Sequence, residues 1–342
     1  MKMQKVALVV LMLALLITGG AGAQMRYHDI RPGYGVTELR WLSDYLPVLR
    51  NTPGDTPVYV LQGEQPGGSM LVLGGTHGDE IAGIMAATWM VERLSVQAGT
   101  IFVIPRANNS ASTHHAANRS PYIELETASG TRRFAYGTRL TNPLHQAPDP
   151  ATYVHPAGRA AAGSEARNLN RVHPGKADGT LTEQISFAIM ELIRNEKIDV
   201  AFDLHEAGPA SRLANMIVSN PKSVNYAAEG LLIMELETNL TLKLEVSSGE
   251  FDGLSHREWG DQTQAEAILL ETPNPGQSSA NNVDVVNDSQ YPLATRVATH
   301  LLTVQAIVSS WNGANPGKKI VWESMPTFEE FHSKPLGYFY ND

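Results

Sequence analysis

The chain has no cysteine among its 342 residues. This absence excludes disulfide bonds, thiolate metal sites and thiol nucleophiles, so any metal site has to use histidine, aspartate and glutamate. It also means that stability has to come from a hydrophobic core. About 320 residues are enough to build one large domain around such a core.

Long apolar runs are scarce too, and the one that stands out lies at the start of the chain. Lys2 and Lys5 precede the apolar run 6–17, which is followed by small residues that end at 21–23. This layout predicts a secretory signal peptide over residues 1–23. A membrane anchor is the alternative, but twelve apolar residues are fewer than the roughly 20 that a bilayer requires. We therefore expect a secreted or periplasmic protein that has no membrane contact after cleavage.

Positive charge is in short supply. The net charge is −9 at neutral pH, and it becomes −11 without residues 1–23, which contain two lysines and no acidic residue. Nucleic acid is not an expected partner, because binding to phosphates needs a clustered basic surface. The glycines at 74–75 lack the lysine and the spacing of a phosphate loop, and no serine lies in a nucleophile elbow.

The rest of the chain predicts strands that alternate with helices. Short apolar and β-branched runs predict strands, two of them around a turn at 64–68, and apolar residues at helical spacing predict helices. The predicted strands are 58–63, 70–75, 101–104, 200–204, 216–219, 242–246 and 267–271, and the predicted helices are 80–94, 182–193 (capped by Thr182), 223–239 and 291–311. This alternation indicates an α/β fold, an α/β/α sandwich around a mixed, mostly parallel sheet.

Two segments fall outside this alternation. Residues 106–180 have few periodic apolar positions and many Gly, Pro, Asn, Arg and His residues. So long an irregular stretch inside a compact domain indicates a functional region. We expect one domain over 24–315 and a C-terminal tail over 316–342 that packs on it.

One candidate motif lies where a predicted buried strand gives way to a helix. Residues 74–80 read Gly-Gly-Thr-His-Gly-Asp-Glu, and α/β sheets bind ligands at such strand ends. His77 and Glu80 are three positions apart, so both can point at one metal ion once the helix starts. The alternative is a surface pair near a helix N-terminus, which is the commoner outcome for this motif alone.

Two more predicted strands end in polar residues. Strand 200–204 leads into His205, which can supply a third ligand and which Asp203 or Glu206 can orient. A hydrogen-bonded histidine at a strand end is the alternative for His205 alone. Strand 267–271 ends in Glu271, an acid that needs a role or a partner if it is buried. Beside a metal-activated water it would be a general base.

Taken together, these residues resemble a known family. The motif His77-x-x-Glu80, the box Asn-Leu-Asn-Arg at 168–171, His205 and Glu271 are similar in kind and order to the motifs of the aspartoacylase and succinylglutamate desuccinylase family. The resemblance runs from about residue 70 to 311 and implies a zinc carboxypeptidase-like fold. It also implies one zinc ion per chain, held by His77, Glu80 and His205, and a hydrolytic reaction.

The resemblance implies roles for further residues. Glu271 matches the catalytic glutamate, while Asn170 and Arg171 match a pair that binds a substrate carboxylate, a task that suits a planar guanidinium. Arg119 is expected to polarise the scissile carbonyl group. Three other arginines of this region, Arg132, Arg133 and Arg139, are expected to be solvated surface charges or to form salt bridges within loops. The expected partner is a small-molecule or peptide substrate with a free carboxylate.

Two departures from the family pattern leave the substrate open. Asn168 stands where the box usually begins with Asp, and the tyrosine that many carboxypeptidases carry ahead of the glutamate is not evident. The first interpretation is an N-acyl amino acid deacylase that cleaves an amide bond. The second is an exported metallocarboxypeptidase that acts on peptides or cell-wall fragments. A non-catalytic, zinc-stabilised binding protein is the third, and the presence of Glu271 disfavours it.

Overall fold

The computed structural model describes residues 29–117, 119–278, 283–323 and 325–342. The predicted signal peptide at 1–23 lies outside these residues and stays a prediction. Among the described helices, none combines the length and the apolar character that crossing a bilayer requires.

The centre of the fold is a mixed sheet whose strands run in the order β1-β2-β4-β3-β9-β12-β10-β11, with β13 added beside β4. The four central strands β4, β3, β9 and β12 are mutually parallel, and antiparallel strands flank them. The strands of this sheet are β1 Glu38–Trp41, β2 Pro57–Gln62, β3 Gln65–Gly74, β4 Val96–Ile104, β9 Val200–Ala207, β10 Met216–Ser219, β11 Lys243–Val246, β12 Glu266–Pro273 and β13 Val321–Trp322.

Helices cover both faces of the sheet, as the sequence predicts. The described helices are α1 Ile81–Arg93, α2 Leu181–Asn195, α3 Val224–Thr238, α4 Ser255–Gln262, α5 Leu293–Ala314 and α6 Phe328–Ser333. Side chains alternate along the strands, so Val72 belongs to the hydrophobic cluster that includes residues of α1, α3 and α5, whereas Leu73 belongs to the cluster that includes residues of α2 and Trp259 of α4. The predicted α/β sandwich around a mixed sheet is confirmed.

One local prediction was wrong, that of the cap of the second helix. The strands β2 and β3 follow each other in the chain around a short turn, and β4 lies between them and bonds to both. The helix α2 is capped by Thr180, whose backbone N–H donates to Glu183 Oε2 at 2.7 Å, and not by Thr182, which lies inside the helix. The sequence also did not predict α4, because its eight residues hold a single large apolar side chain, that of Trp259.

The irregular region 106–180 contains two short hairpins, which neither pair with nor extend the central sheet. They are β5 Tyr122–Thr127 with β6 Gly130–Ala135, and β7 Ala151–Val154 with β8 Ala160–Gly163. The C-terminal residues 325–342 pack through Phe331, Phe339 and Tyr340 onto the α1 and α5 side of the core. Arg132 of β6 pairs with the buried Glu92 of α1 at 2.8 Å, which fixes the first hairpin to the domain.

Candidate functional site

Three potential ligands meet at the carboxyl edge of the parallel strands. The strand β3 ends at Gly74, His77 follows in the turn, and Glu80 is the N-cap residue of α1. The tight turn needs glycine at position 75, where φ is +67° and a Cβ would lie 2.9 Å from a backbone oxygen of Pro105. His205 comes from the neighbouring strand β9 and lies inside this strand, not after it.

The two histidines present the same ring nitrogen to one carboxylate. His77 Nδ1 lies 2.7 Å from Glu80 Oε1, and His205 Nδ1 lies 2.8 Å from Glu80 Oε2. All three side chains are buried, and their ligand atoms lie within 4.8 Å of one another. The sequence prediction that these residues come together is therefore met by the geometry.

The opposite ring nitrogens are held by oxygen atoms. His77 Nε2 lies 2.9 Å from Asn168 Oδ1, and His205 Nε2 lies 2.8 Å from Asp203 Oδ2. Each Nε2–H can donate to its oxygen, which leaves the Nδ1 lone pair for a metal ion. Two imidazole nitrogens and one carboxylate make a common ligand set for zinc in catalytic sites. The donor set therefore fits the metal that the family resemblance implies.

Asp203 is hydrogen-bonded through both of its carboxylate oxygens. In addition to His205, it accepts hydrogen bonds from Thr76 Oγ1 at 2.7 Å and from Ser255 Oγ at 2.5 Å. Burial raises the pKa of Asp203, but His205 and these hydroxyl groups outweigh it and hold the pKa below its usual value. Sequence analysis gave Asp203 an orienting role as one of two options and missed Thr76 and Ser255, whose hydroxyl groups carry no motif.

Glu206, the other option, turns to the opposite face of the sheet. Its carboxylate accepts hydrogen bonds from Arg296 of α5 and, at 2.9 Å, from the backbone N–H of Ala82 in α1. Its own backbone N–H donates to Glu80 Oε2 at 3.0 Å. Glu206 therefore ties the strand that carries His205 to the helix that Glu80 begins, and it does not orient the His205 ring.

The electrostatics of the ligands reflect their tight packing. Burial lowers the pKa of His77 to about 4, and the nearby Arg139 acts in the same direction. Burial also acts against the charges on Glu80 and His205, yet their attraction outweighs it: the pKa of Glu80 is held well below its usual value and that of His205 well above. A metal ion that binds at Nδ1 of His205 has to displace a proton from that nitrogen.

Glu271 lies beside this cluster. The register of β12 on β9 pairs Glu271 with His205, so both side chains project from the same face of the sheet. Its Oε2 atom is buried and has no hydrogen-bond partner among the described residues. Burial raises the pKa of Glu271 to about 8, with a further contribution from the charge of Glu80. A carboxyl group with a raised pKa and no structural partner suits proton transfer.

Among the arginines that the structure describes, Arg139 hydrogen-bonds to the ligand cluster. Its Nη1 lies 3.4 Å from Glu80 Oε1 and 3.3 Å from His77 Nδ1, and 39% of its side chain stays exposed. The chain reaches this position because Gly78 exchanges backbone hydrogen bonds with the residues just before Arg139, Gly78 N to Thr138 O at 2.8 Å and Gly137 N to Gly78 O at 2.8 Å.

Arg119 lies elsewhere. Its guanidinium donates to the carbonyl oxygen of Gly276 and to Tyr136 Oη, and it makes no hydrogen bond to the predicted ligands. The assignment of Arg119 to the scissile carbonyl group stays a prediction. Arg139, for which this role was not expected, is the alternative residue for it. Arg132 pairs with Glu92 and Arg133 with Glu124, so both form the salt bridges that were one of the two expectations for them.

The predicted substrate-binding pair divides into one buried and one accessible residue. Asn170 is buried, and its Oδ1 accepts a hydrogen bond from the backbone N–H of Ser255 at 2.8 Å. Arg171 keeps 30% of its side chain exposed and lies 3.7 Å from Glu165 Oε2. Burial lowers the pKa of Arg171, and the positive charge of Arg139 adds to the effect. Guanidinium groups can bind carboxylates through paired hydrogen bonds, and the predicted role of Arg171 stays a prediction.

Known proteins with a similar sequence or fold include the following three. The chain is 28% identical over 155 residues to N-alpha-acetyl-L-2,4-diaminobutyric acid deacetylase of Halomonas elongata, a match that covers 44% of this chain and 32% of the deacetylase. The fold is similar to a succinylglutamate desuccinylase/aspartoacylase from Rhodobacter sphaeroides, with 17% identity, a TM-score of 0.46 and coverage of 75% of this chain and 58% of the other. It is also similar to cell shape determinant protein Csd4 from Helicobacter pylori, with 13% identity, a TM-score of 0.52 and coverage of 81% and 58%. No family model matches the chain.

The chain thus spans less than two thirds of the length of each of these proteins. The similarity to Csd4 agrees with the α/β fold predicted from the sequence. The names of the similar proteins include the family that the motifs resemble.

Proposed function

We propose that this chain is a zinc-dependent hydrolase that cleaves an amide bond in a carboxylate-bearing substrate, in the manner of an N-acyl amino acid deacylase. One observation carries the proposal: His77 and His205 both direct Nδ1 at Glu80, next to an unpartnered Glu271. His77, Glu80 and His205 would hold one zinc ion per chain. Zinc, when bound there, supplies a Lewis acid that polarises a carbonyl group and makes a neighbouring water more acidic.

Glu271 handles the proton. Its Oε2 atom accepts a proton from the attacking water, and the same group then donates this proton to the nitrogen of the departing amine. The raised pKa suits the donation, because a carboxyl group of ordinary pKa is a weak donor near neutral pH. The first step requires the carboxylate form, which the positive charge of a bound metal ion would favour. His205 lies across the strand pair from Glu271, so the acid and the ligand set act on one substrate position.

Arg139 and Arg171 would bind the negatively charged groups of the substrate. Arg139 contacts the ligand cluster and is positioned to stabilise the oxygen that becomes negative when the water attacks. Arg171 would bind the free carboxylate of the substrate through its planar guanidinium. We infer that Asn170 acts indirectly, since its amide holds the backbone at Ser255.

The test is an activity screen with the zinc-loaded protein and its Glu271→Gln variant. N-acyl amino acids, dipeptides and muropeptides are incubated with each protein, and new primary amine is measured. Glu271→Gln should retain zinc and lose about 10²–10⁴-fold in rate, because the amide cannot accept the proton. A variant with normal kcat would exclude Glu271 as the base, and a variant without zinc would make it a ligand.

The exported metallocarboxypeptidase is the second candidate, and the predicted signal peptide favours it. Csd4, which shares the fold, is a D,L-carboxypeptidase. The same screen separates the two candidates, since a metallocarboxypeptidase would release the C-terminal residue from peptides and leave acyl amino acids intact. If neither wild type nor variant produced amine from any substrate, the non-catalytic binding protein would be the better hypothesis.

A further inference from the structure

A buried histidine without partners lies close to the candidate site and has no role in the proposed reaction. His256, the second residue of α4, has no exposed surface. Neither of its ring nitrogens has a hydrogen-bond partner among the described residues. Leaving two polar atoms unpaired in the interior costs stability, so such a group calls for a functional explanation.

The position of His256 relates it to the catalytic face. The preceding residue, Ser255, bonds to Asp203 and to Asn170, so the start of α4 is fixed against the strand that carries His205. The His256 ring packs edge-on against Phe251, with the ring centroids 5.5 Å apart. Phe251 is partly exposed, so the histidine lies directly behind a surface that a ligand can reach.

An apolar patch joins Phe251 to Glu271. Phe251 packs on Met216, Val218 and Leu269. In the antiparallel pair of β10 and β12, Met216 lies opposite Glu271, so the two side chains project from the same face of the sheet. A substrate group that extends past Glu271 therefore meets this apolar patch, and His256 lies behind Phe251.

The chemistry of His256 limits what can bind. Burial lowers its pKa to about 3, so the ring is neutral at physiological pH and offers one N–H donor and one nitrogen acceptor. A carboxamide or a carboxyl group can pair with such a ring, while an aliphatic group leaves both nitrogens unsatisfied. A site built to hydrogen-bond a substrate group discriminates strongly against an analogue that lacks it.

We propose that His256 is a specificity-determining residue, whose imidazole hydrogen-bonds a carboxamide at the end of the substrate's side chain, in a pocket that opens beside Glu271 when the Phe251 ring moves aside. This inference rests on the proposed function, since it assigns the side-chain pocket of the same site. Asparagine and leucine side chains have nearly the same size and shape, so a pair of acyl amino acids that differ in this way isolates the hydrogen bond.

The experiment compares kcat/KM for N-acetyl-asparagine, N-acetyl-leucine and N-acetyl-alanine in the zinc-loaded wild type and in His256→Leu. Wild type should prefer asparagine over leucine, and His256→Leu should lower this ratio by about 10- to 100-fold. Activity on the alanine substrate, whose side chain is too short to reach the pocket, should change by less than about threefold. The melting temperature of His256→Leu should stay level or rise, because two unpaired polar atoms leave the interior.

Two further variants make the result specific. His256→Asn keeps a donor and an acceptor and should restore part of the asparagine preference. His300→Leu removes another fully buried histidine, which bonds to Thr272 on the opposite face of the sheet, and should leave the ratio unchanged. N-acetyl-aspartate and N-acetyl-lysine extend the panel and separate a carboxylate from a carboxamide and from a cation.

The outcomes also separate the two proposals. Turnover with the same asparagine-to-leucine ratio in wild type and His256→Leu would overturn the inference and leave the hydrolase intact. If wild type cleaved none of the substrates, calorimetry would decide, with the same ligands binding to the zinc-loaded Glu271→Gln protein. Loss of binding of N-acetyl-asparagine alone in Glu271→Gln/His256→Leu would support the inference without the reaction. If Glu271→Gln did not bind N-acetyl-asparagine more tightly than N-acetyl-leucine, the inference about His256 would be overturned.

Discussion

Replacement of Asp203 by asparagine offers the sharpest test of the metal site. The substitution keeps the size of the side chain and removes its charge. The amide oxygen can still accept from His205 and Ser255, which both contact Oδ2, and the amide NH₂ can face the hydroxyl oxygen of Thr76. What changes is the acceptor of the His205 N–H, from a buried carboxylate to a neutral amide, which makes the imidazole a weaker ligand.

The loss in zinc affinity should be about 10- to 100-fold, which corresponds to about 1.4–2.7 kcal/mol. Competition with a chromogenic chelator measures it. The matched variant acts on the other histidine: Asn168→Asp gives the His77 N–H a carboxylate and should tighten binding. Because Asn168 Nδ2 donates to Glu165 Oε2 at 3.0 Å, Asn168→Asp is best made together with Glu165→Gln, which avoids facing carboxylates. Unchanged affinity in Asp203→Asn would refute the assignment of His205 as a ligand oriented through Nε2.

Four other predictions concern separate parts of the molecule. Arg139→Ala should lower kcat by about 10²–10³-fold, and Arg119→Ala much less, because only the former contacts the ligand cluster; the reverse order in steady-state kinetics would restore the assignment made from sequence. Arg171→Lys should raise KM for a carboxylate substrate more than it lowers kcat, because a point charge replaces a planar fork; an unchanged KM would remove this residue from the site. His173, fully buried with its pKa lowered to about 4 by burial, is neutral in the folded protein, while the unfolded chain takes up a proton below about pH 6.5. The contribution of the neutral His173 to the free energy of unfolding is therefore complete above pH 6.5 and decreases as the pH falls toward 4, by about 2 kcal/mol at pH 5. Urea unfolding of the metal-free protein and of His173→Gln at several pH values would measure this decrease, and parallel pH profiles would contradict it. Exported protein should begin at Gln24, and N-terminal sequencing that finds residue 1 would favour the membrane anchor.

The candidate ligand residues could be singled out from the sequence because they lie near the carboxyl ends of two recognisable strands. Buried strands of β3 and β9 read as continuous apolar runs, and polar residues that interrupt such runs at a carboxyl edge are conspicuous. The pairing of Glu271 with His205 was not readable, because it depends on β12 lying beside β9, which the order along the chain does not reveal.

Residues on loops and weak helices could not be placed from the sequence. Arg139 reaches the ligands through backbone hydrogen bonds between Gly78 and the chain after β6, and such contacts leave no side-chain pattern. The carboxylate partners Thr76 and Ser255 are ordinary hydroxyl residues. The helix α4 holds mostly polar residues and forms because Trp259 is buried and Ser255 is bonded at its start, both of which are tertiary contacts.

The two carboxylates next to His205 show how one strand serves both stability and reaction. Asp203 and His205 project toward the site, while Glu206 projects to the other face. There it accepts hydrogen bonds from Arg296 and from the backbone of the first turn of α1. Each buried carboxylate is paired with a cation or with several donors, which offsets the cost of its burial. Glu271 differs, because its buried oxygen has no partner among the described residues and its pKa rises as a result. The structure thus separates acids that hold ligands in place from one that is left free to exchange a proton, and this difference in environment supports the assignment of Glu271 as the base.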